Sequence, residues 1–117
     1  MATWVGFYCY ERRDEMIFES VEINENTGSF NAVGRDVCGS FVFNGNIHGG
    51  RFQAVKDYSL WVIHYTGNYD AEKLEITGHW GYSIGERILP FVIAKIPDIN
   101  VPDFKRDLLE NRDPFTR

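Results

Sequence analysis

The chain has 117 residues, 44% of them hydrophobic and 15% aromatic, and carries a net charge of −5. This length and composition predict one globular domain with its own core. An acidic chain without a cluster of Lys and Arg residues is a poor ligand for nucleic acids and for anionic membrane surfaces, because phosphate contacts need a basic face.

The sequence also bears on location. No stretch reaches the roughly 20 apolar residues of a membrane span, so we expect a soluble protein without membrane insertion. The N-terminal sequence MATWVGFYCYERRDE lacks the basic and long apolar regions of a secretory signal, which favours an intracellular protein. Cys9 and Cys38 do not form a CxxC pair, and we interpret them as two reduced, buried thiols.

Short apolar runs separated by turn-forming residues recur along the chain, and all four prolines follow residue 89. This pattern is typical of an all-β barrel or sandwich. The connections are too short for crossover helices, so neighbouring strands should be antiparallel. The sequence therefore predicts an eight-stranded antiparallel up-and-down β-barrel over residues 1–96. The predicted strands are Thr3–Tyr10, Glu15–Ile23, Gly28–Gly34, Val37–Ile47, Gly50–Asp57, Ser59–Asn68, Lys73–Tyr82 and Arg87–Ile96.

Three glycines stand inside apolar runs, in FNGNI, YTGNY and ITGHW. Asn44-Gly45 alone would indicate a hairpin turn. The other two motifs lie in the middle of runs, where turns would cut the strands into stubs. We therefore place Gly45, Gly67 and Gly78 within strands, as the bends that a small barrel needs for closure, and predict the turn at residues 48–50.

Several strands are apolar on both faces, notably those containing WVGFYCY and LWVIHY. One face can fill the barrel. The other must be covered by the C-terminal tail, by another copy of the chain, or by a partner protein.

The tail, residues 97–117, is predicted to carry a short helix. Pro102 and Asp103 are typical of a helix start, and Phe104, Leu108 and Leu109 form an apolar stripe. A helix of about ten residues needs a surface to lie on. It either plugs or lines its own barrel, or docks on another protein through this stripe.

Residues that could carry chemistry show no pattern typical of an active site. His48, His64 and His79 lack the spacing of a metal site, and no metal or other cofactor is predicted. Asp36 is interpreted as a turn residue that bonds its own backbone rather than as half of a carboxylate pair with Asp57. No signature supports a Cys–His nucleophile, so we do not expect an enzyme.

Lys56 occurs late in an otherwise apolar strand. We favour a position at the barrel rim, where the ammonium reaches solvent. The alternative is that Lys56 points inward, toward an acidic ligand.

A set of ordered glycines and aromatics covers most of the chain. It comprises Gly34-x-Asp36-x-x-Gly39-x-Phe41-x-x-x-Gly45, Phe52-x-x-x-Lys56-x-Tyr58, Tyr65-x-Gly67 and Ile76-x-Gly78-x-Trp80. The chain thereby resembles a recurrent small β-barrel module of eukaryotic proteins. The resemblance implies an avidin-like or calycin-like barrel and no catalytic residues. Avidins also have a Trp in the first strand, as Trp4 is here, but Val5-Gly6-Phe7-Tyr8 follows where polar biotin contacts are expected, so biotin binding is not implied.

Two functions remain after the enzyme class is set aside. The favoured one is a structural or protein-interaction barrel, an accessory subunit of a homo-oligomer or larger assembly. The alternative is a carrier of a small apolar ligand, marked by a closed cavity of several hundred Å³. The carrier's ligand-binding residues would be Trp4, Phe41, Phe43, Phe52, Lys56, Trp61, Tyr65 and Trp80. These aromatics are bulky enough to fill an eight-stranded barrel, which favours the interaction role.

Overall fold

The protein is a closed antiparallel β-barrel whose strands follow one another around the wall in chain order. The computed structural model describes residues 1–109, and the side chains of residues 1–107. The strands are β1 (Ala2–Cys9), β2 (Arg13–Asn24), β3 (Ser29–Asp36), β4 (Gly39–His48), β5 (Arg51–Asp57), β6 (Val62–Asp70), β7 (Glu75–Gly81) and β8 (Leu89–Pro97). Pairing of β1 with β8 closes the barrel, so the predicted fold class is confirmed.

The turn between β3 and β4 lies later than the sequence predicts. Asp36 belongs to β3, and Val37 lies in the turn instead of opening β4. The Asp36 carboxylate accepts the backbone N–H of Cys38 at 2.9 Å. This bond of a side chain to the backbone two residues on folds the chain at Val37 and Cys38.

The start of β6 also differs, since the strand begins at Val62 and not at Ser59. Ser59 has a φ of 80°, which an extended strand does not accommodate. The Tyr58 N–H donates to the Trp61 carbonyl at 3.0 Å and closes a turn. Trp61 therefore lies in a loop and not in the barrel wall.

The glycine prediction is confirmed. Gly45 lies within β4, opposite Ala54 of β5, and the β4–β5 turn is made by Gly49 and Gly50, with φ values of 57° and 78°. Gly67 and Gly78 face each other across β6 and β7. A Cβ on either glycine would overlap a carbonyl oxygen of the neighbouring strand, so the tight wall at this point requires residues without side chains.

The lumen is filled by aromatic side chains. Phe30 and Phe52 meet edge to face at 5.0 Å between ring centroids, and Phe43 and Tyr65 do so at 4.9 Å. Tyr65 also packs on Phe91 at 4.7 Å. Each of these residues is 2% exposed or less, so they form the core of the barrel.

The tail packs on the outside of its own barrel. A 3₁₀ turn at Asp98–Asn100 leads into helix α1 (Val101–Leu109), which confirms the predicted helix. Phe104 packs against an outer apolar cluster of Phe7, Val92 and Ala94 on β1 and β8. The described part of the tail thus covers an outer face, and it does not fill or line the lumen as expected. No helix within residues 1–109 is long and apolar enough to cross a membrane.

Part of the predicted docking stripe can be placed. Phe104 is half-buried on the barrel, and the neighbouring Lys105 forms an ion pair with Glu15 of β2. The backbone of Leu108 and Leu109 completes α1, but their side chains lie outside the described residues. Phe104 is therefore occupied by contacts within the chain.

Candidate functional site

Most of the residues predicted to contact a ligand belong to the barrel core. Six of them are 4% exposed or less: Phe41, Phe43, Phe52, Lys56, Tyr65 and Trp80. Trp4 is half-buried and packs against this core. Trp61 does not join them, because it lies in the β5–β6 loop, is 46% exposed and stacks on Tyr58 at 5.1 Å.

Lys56 points into the barrel and is 1% exposed, so the expectation that it reaches solvent at the rim is wrong. Its Nζ atom lies 2.5 Å from Oδ2 of Asp36, whose side chain is 0% exposed. Strand alternation explains the direction, since Lys56 has the same parity in β5 as the buried Phe52 and Ala54. Lys56 therefore points inward, as the alternative predicted, but the acidic group that it contacts is Asp36 of the same chain and not a ligand.

Aromatic rings surround the Lys56 ammonium. Its Nζ lies 4.4 Å from the ring centroids of Tyr8 and Phe41, and between 5.1 and 5.8 Å from those of Phe43, Tyr58 and Tyr65. Ring faces attract a cation, and more strongly where water is excluded. The rings therefore replace part of the hydration that the ammonium loses on burial.

Further hydrogen bonds tie this buried pair to its neighbours. Nζ of Lys56 donates to the Tyr65 hydroxyl at 3.3 Å, while the Tyr58 hydroxyl donates to Oδ2 of Asp36 at 2.6 Å. The other oxygen, Oδ1, accepts the Cys38 N–H, which confirms Asp36 as a turn residue. Asp57 is not part of this network, because its carboxylate accepts the N–H of Ser59 at 2.7 Å.

Burial sets the protonation equilibria of the cluster. It lowers the pKa of Lys56 from 10.5 to about 8, although the Asp36 charge acts in the opposite direction. Burial, assisted by the hydrogen bond to Asp36, raises the pKa of Tyr58, and burial also raises the pKa of Tyr8 and Tyr65. The phenols therefore stay neutral donors at physiological pH.

An amine with a lowered pKa is a chemically capable nucleophile. Lys56 is sealed by the surrounding rings and paired with Asp36, so a substrate would have to displace core side chains to reach it. We therefore interpret the cluster as a structural element that fixes β3, β4 and β5 around a shared charge.

Within the described residues the cysteine and histidine side chains form neither a disulfide nor a metal site. No disulfide joins Cys9 and Cys38, as expected, but Cys9 is half-buried and Cys38 is exposed, so the expectation of two buried thiols is wrong. Among the described residues no three His, Cys, Asp or Glu side chains form a group that could hold a metal ion.

A groove of about 680 Å³ crosses the outer wall from β4 to β8, and we call it the side groove. Of the eight predicted ligand contacts only Phe52 lines it. Two rows of outward side chains, in register across adjacent strands, form its sides. The first row is Asn46, Gln53, Thr66 and His79. The second row is His48, Arg51, Asn68 and Thr77.

Gly67 and Gly78 lie between the two rows, and Arg87 approaches from the β7–β8 loop. None of the described lining residues is an Asp or Glu, although the chain has 17 of them. The groove is thus a cationic and hydrogen-bonding surface on an acidic protein. Sequence reasoning missed it, because its residues come from five segments that only the closed sheet brings together.

The two ends of the barrel differ in their loops. The connections after β1, β3, β5 and β7 lie at one end, as the antiparallel order requires, and each carries an exposed apolar side chain. We call this set the apolar rim; it consists of Tyr10, Val37, Leu60, Trp61, Tyr82, Ile84 and Ile88. The loops at the other end, after β2, β4 and β6, have the sequences ENTG, GG and AEKL.

Comparisons with protein-family models, with curated proteins and with solved structures find no match to this chain. The resemblance to avidin-like and calycin-like modules stays a prediction.

Proposed function

We propose that this chain is a non-catalytic protein-interaction barrel, which joins an assembly by docking its apolar rim on another protein subunit. The observation that carries the proposal is the concentration of exposed apolar residues on all four loops of one end. Leu60 is 88% exposed and Ile84 is 73% exposed. Single exposed apolar residues are ordinary, whereas a group of them on one surface is typical of an interface.

Ring contacts join parts of the rim into one surface. Tyr10 and Tyr82, from the first and last of these loops, both pack on Trp80, at 5.9 and 5.5 Å. Trp61 stacks on Tyr58, which holds it against the β5–β6 turn. Large, partly fixed aromatic side chains lose little conformational freedom on binding and are enriched at the centre of interfaces.

The interior favours this role over that of a carrier. The lumen-facing aromatics pack ring against ring, and the Lys56 charge already has Asp36 as its partner. An apolar ligand would need space that these side chains occupy. The side groove lies on the outer wall and is lined mainly by polar side chains, which does not suit an apolar cargo.

The subunit that we propose for this surface is a second copy of the chain. Exposed charges of both signs, Glu11, Arg12 and Glu86, flank the apolar rim. In a two-fold contact the same patch meets itself, so a patch with both signs can pair its own charges. A stable contact of this kind buries about 800 Å² on each copy.

Sedimentation equilibrium tests the proposal with the variant Leu60→Asp/Ile84→Asp. Both side chains are highly exposed, so the variant should keep the stability of the wild type, while charges placed in the contact should convert a dimer to a monomer. The matched control is Ile99→Asp, an 86% exposed position at the opposite end of the barrel, which should leave the dimer intact.

A wild-type chain that sediments as a monomer at 200 µM, or an Ile99→Asp variant that dissociates equally, would overturn the proposal. Binding of the wild type, but not of the rim variant, to phosphatidylcholine vesicles would assign the rim to a membrane surface instead.

A further inference from the structure

We infer that the side groove binds an extended acidic segment of a protein, with two carboxylates about six residues apart. The inference does not depend on the apolar rim, because it rests on a different surface. Its grounds are the charge of the groove, its hydrogen-bonding groups and its length.

The charge of the groove selects an anion. Arg51 from β5 and Arg87 from the β7–β8 loop line it, together with His48 and His79, and no carboxylate does so among the described lining residues. Elsewhere the chain is acidic, with a net charge of −5. A guanidinium offers paired donors to a carboxylate, so each arginine can take one acidic side chain.

The dimensions of the wall set the spacing of the two acids. Arg51 lies on β5, and Arg87 lies just before β8, three strands away. Adjacent strands are about 4.8 Å apart, so the two residues are about 14 Å apart across the strands. Arg51 is in register with Val92 through Asn68 and Thr77, and Arg87 precedes Val92 by five residues, so the two arginines are also about 16 Å apart along the strands. The diagonal is about 22 Å, and an extended peptide advances about 3.3 Å per residue, which places the carboxylates in the pattern Glu-x-x-x-x-x-Glu.

The uncharged side chains match a peptide backbone. The amides of Asn46, Gln53 and Asn68 each offer donors and an acceptor, as a peptide group does. Thr66, in the middle of the first row, has a buried hydroxyl that finds no hydrogen-bond partner within the described part of the chain. An unpartnered buried hydroxyl is costly, and a ligand group in the groove would supply the missing bond.

Other polyanions fit the groove less well. A nucleic acid would bring a row of phosphates to a chain of net charge −5, and no lysine is among the described residues that line the groove. Single-stranded nucleic acids also use exposed aromatic faces for stacking. The groove aromatics Phe52 and Phe91 are 2% and 1% exposed, so they offer no such face.

Fluorescence polarisation tests the inference with a labelled acetyl-Glu-Ser-Gln-Ser-Gln-Ser-Glu-Ser peptide and the full chain. Arg51→Glu and Arg87→Glu should each weaken binding by at least about tenfold, since each removes a charged contact and adds a repulsive one. Arg35→Glu makes the same charge change at an exposed position of β3 outside the groove, and it should change the affinity by less than about twofold. Leu60→Asp, in the apolar rim, should leave the affinity unchanged.

Thr66→Val provides a readout that a purely structural role would not give. It should stabilise the free protein by removing the unpartnered hydroxyl and at the same time weaken peptide binding severalfold. The inference fails if the peptide does not bind at 1 mM protein, or if Arg35→Glu weakens binding as much as Arg51→Glu. It also fails if a peptide with Gln at both Glu positions, or a six-nucleotide single-stranded DNA, binds as tightly.

Discussion

Replacing Lys56 by Met is expected to remove a large part of the stability of the barrel. Methionine has a similar length and fills the space, but it leaves the Asp36 carboxylate without the ammonium 2.5 Å away. The side chain of Asp36 is 0% exposed, so water cannot take the place of the lost charge. Breaking a buried ion pair on one side costs about 3–5 kcal/mol, and the donors Tyr58 and Cys38 that remain on Asp36 place the expected loss toward the lower end.

A second substitution separates charge from packing. In the background of Lys56→Met, Asp36→Asn removes the unpaired charge; its oxygen can accept the Cys38 N–H, and its amide NH2 can donate to the Tyr58 hydroxyl, which then acts as the acceptor. The double variant should recover most of the loss and come within about 1–2 kcal/mol of the wild type, because replacing both members of a buried pair is often nearly neutral. The coupling between the two sites should therefore amount to several kcal/mol.

Urea denaturation followed by tryptophan fluorescence and far-ultraviolet circular dichroism measures these free energies, provided that the two signals coincide. Lys95→Met, at an exposed position of β8, is the matched control and should change stability by less than about 0.5 kcal/mol.

A loss below about 1 kcal/mol for Lys56→Met, comparable with that of Lys95→Met, would refute the reasoning and indicate a solvated ammonium at the rim. Failure of Asp36→Asn to restore stability would show that the loss comes from packing and not from the uncompensated charge.

Two further predictions concern the pH dependence of the stability and the glycines of the barrel wall. Because burial lowers the pKa of Lys56 from 10.5 to about 8, the unfolded chain binds more protons between these values. The stability of the wild type relative to Lys56→Met should therefore rise by up to about 1.4 kcal/mol per pH unit from pH 8 to pH 10, and a flat difference in urea titrations would contradict this. Gly67→Ala should destabilise the barrel by about 3 kcal/mol, because the added methyl overlaps the Thr77 carbonyl. Gly49→Ala should cost about 1 kcal/mol, because Gly49 has a positive φ but open space around it. Equal shifts of the melting temperature for the two variants would refute the closure role of Gly67.

The closed barrel could be predicted because its determinants are local. Alternation, the short polar connections and the late prolines limit the chain to antiparallel neighbours, and Gly45, Gly67 and Gly78 interrupt runs where a turn would leave stubs. The errors in strand ends also have local causes, namely the turn bond of Asp36 and the positive φ of Ser59. Local features of this kind shift the end of a strand by two or three residues without changing the topology of the barrel.

The partner of Lys56 could not be predicted, because the strand predicted over Gly28–Gly34 ends before Asp36 and assigns that residue to no face of the sheet. β4 separates β3 from β5, so the two side chains meet across the interior and not along a ladder. The sequence alone also allowed Lys56 to reach solvent at the end of its strand. In the closed barrel Lys56 is 1% exposed and lies beside Asp36, so its ammonium does not reach solvent.

The sequence by itself determined the fold class, the antiparallel pairing of strands that follow one another, and the need to cover an apolar outer face, since these follow from periodicity and turn chemistry. Only the tertiary structure decided what covers that face, what Lys56 binds, and which surfaces remain open to a partner. Phe104 covers Phe7 and Val92, four loops join in the apolar rim, and five segments form the side groove. Each of these arises from residues distant in the chain, which only the pairing of the strands brings together.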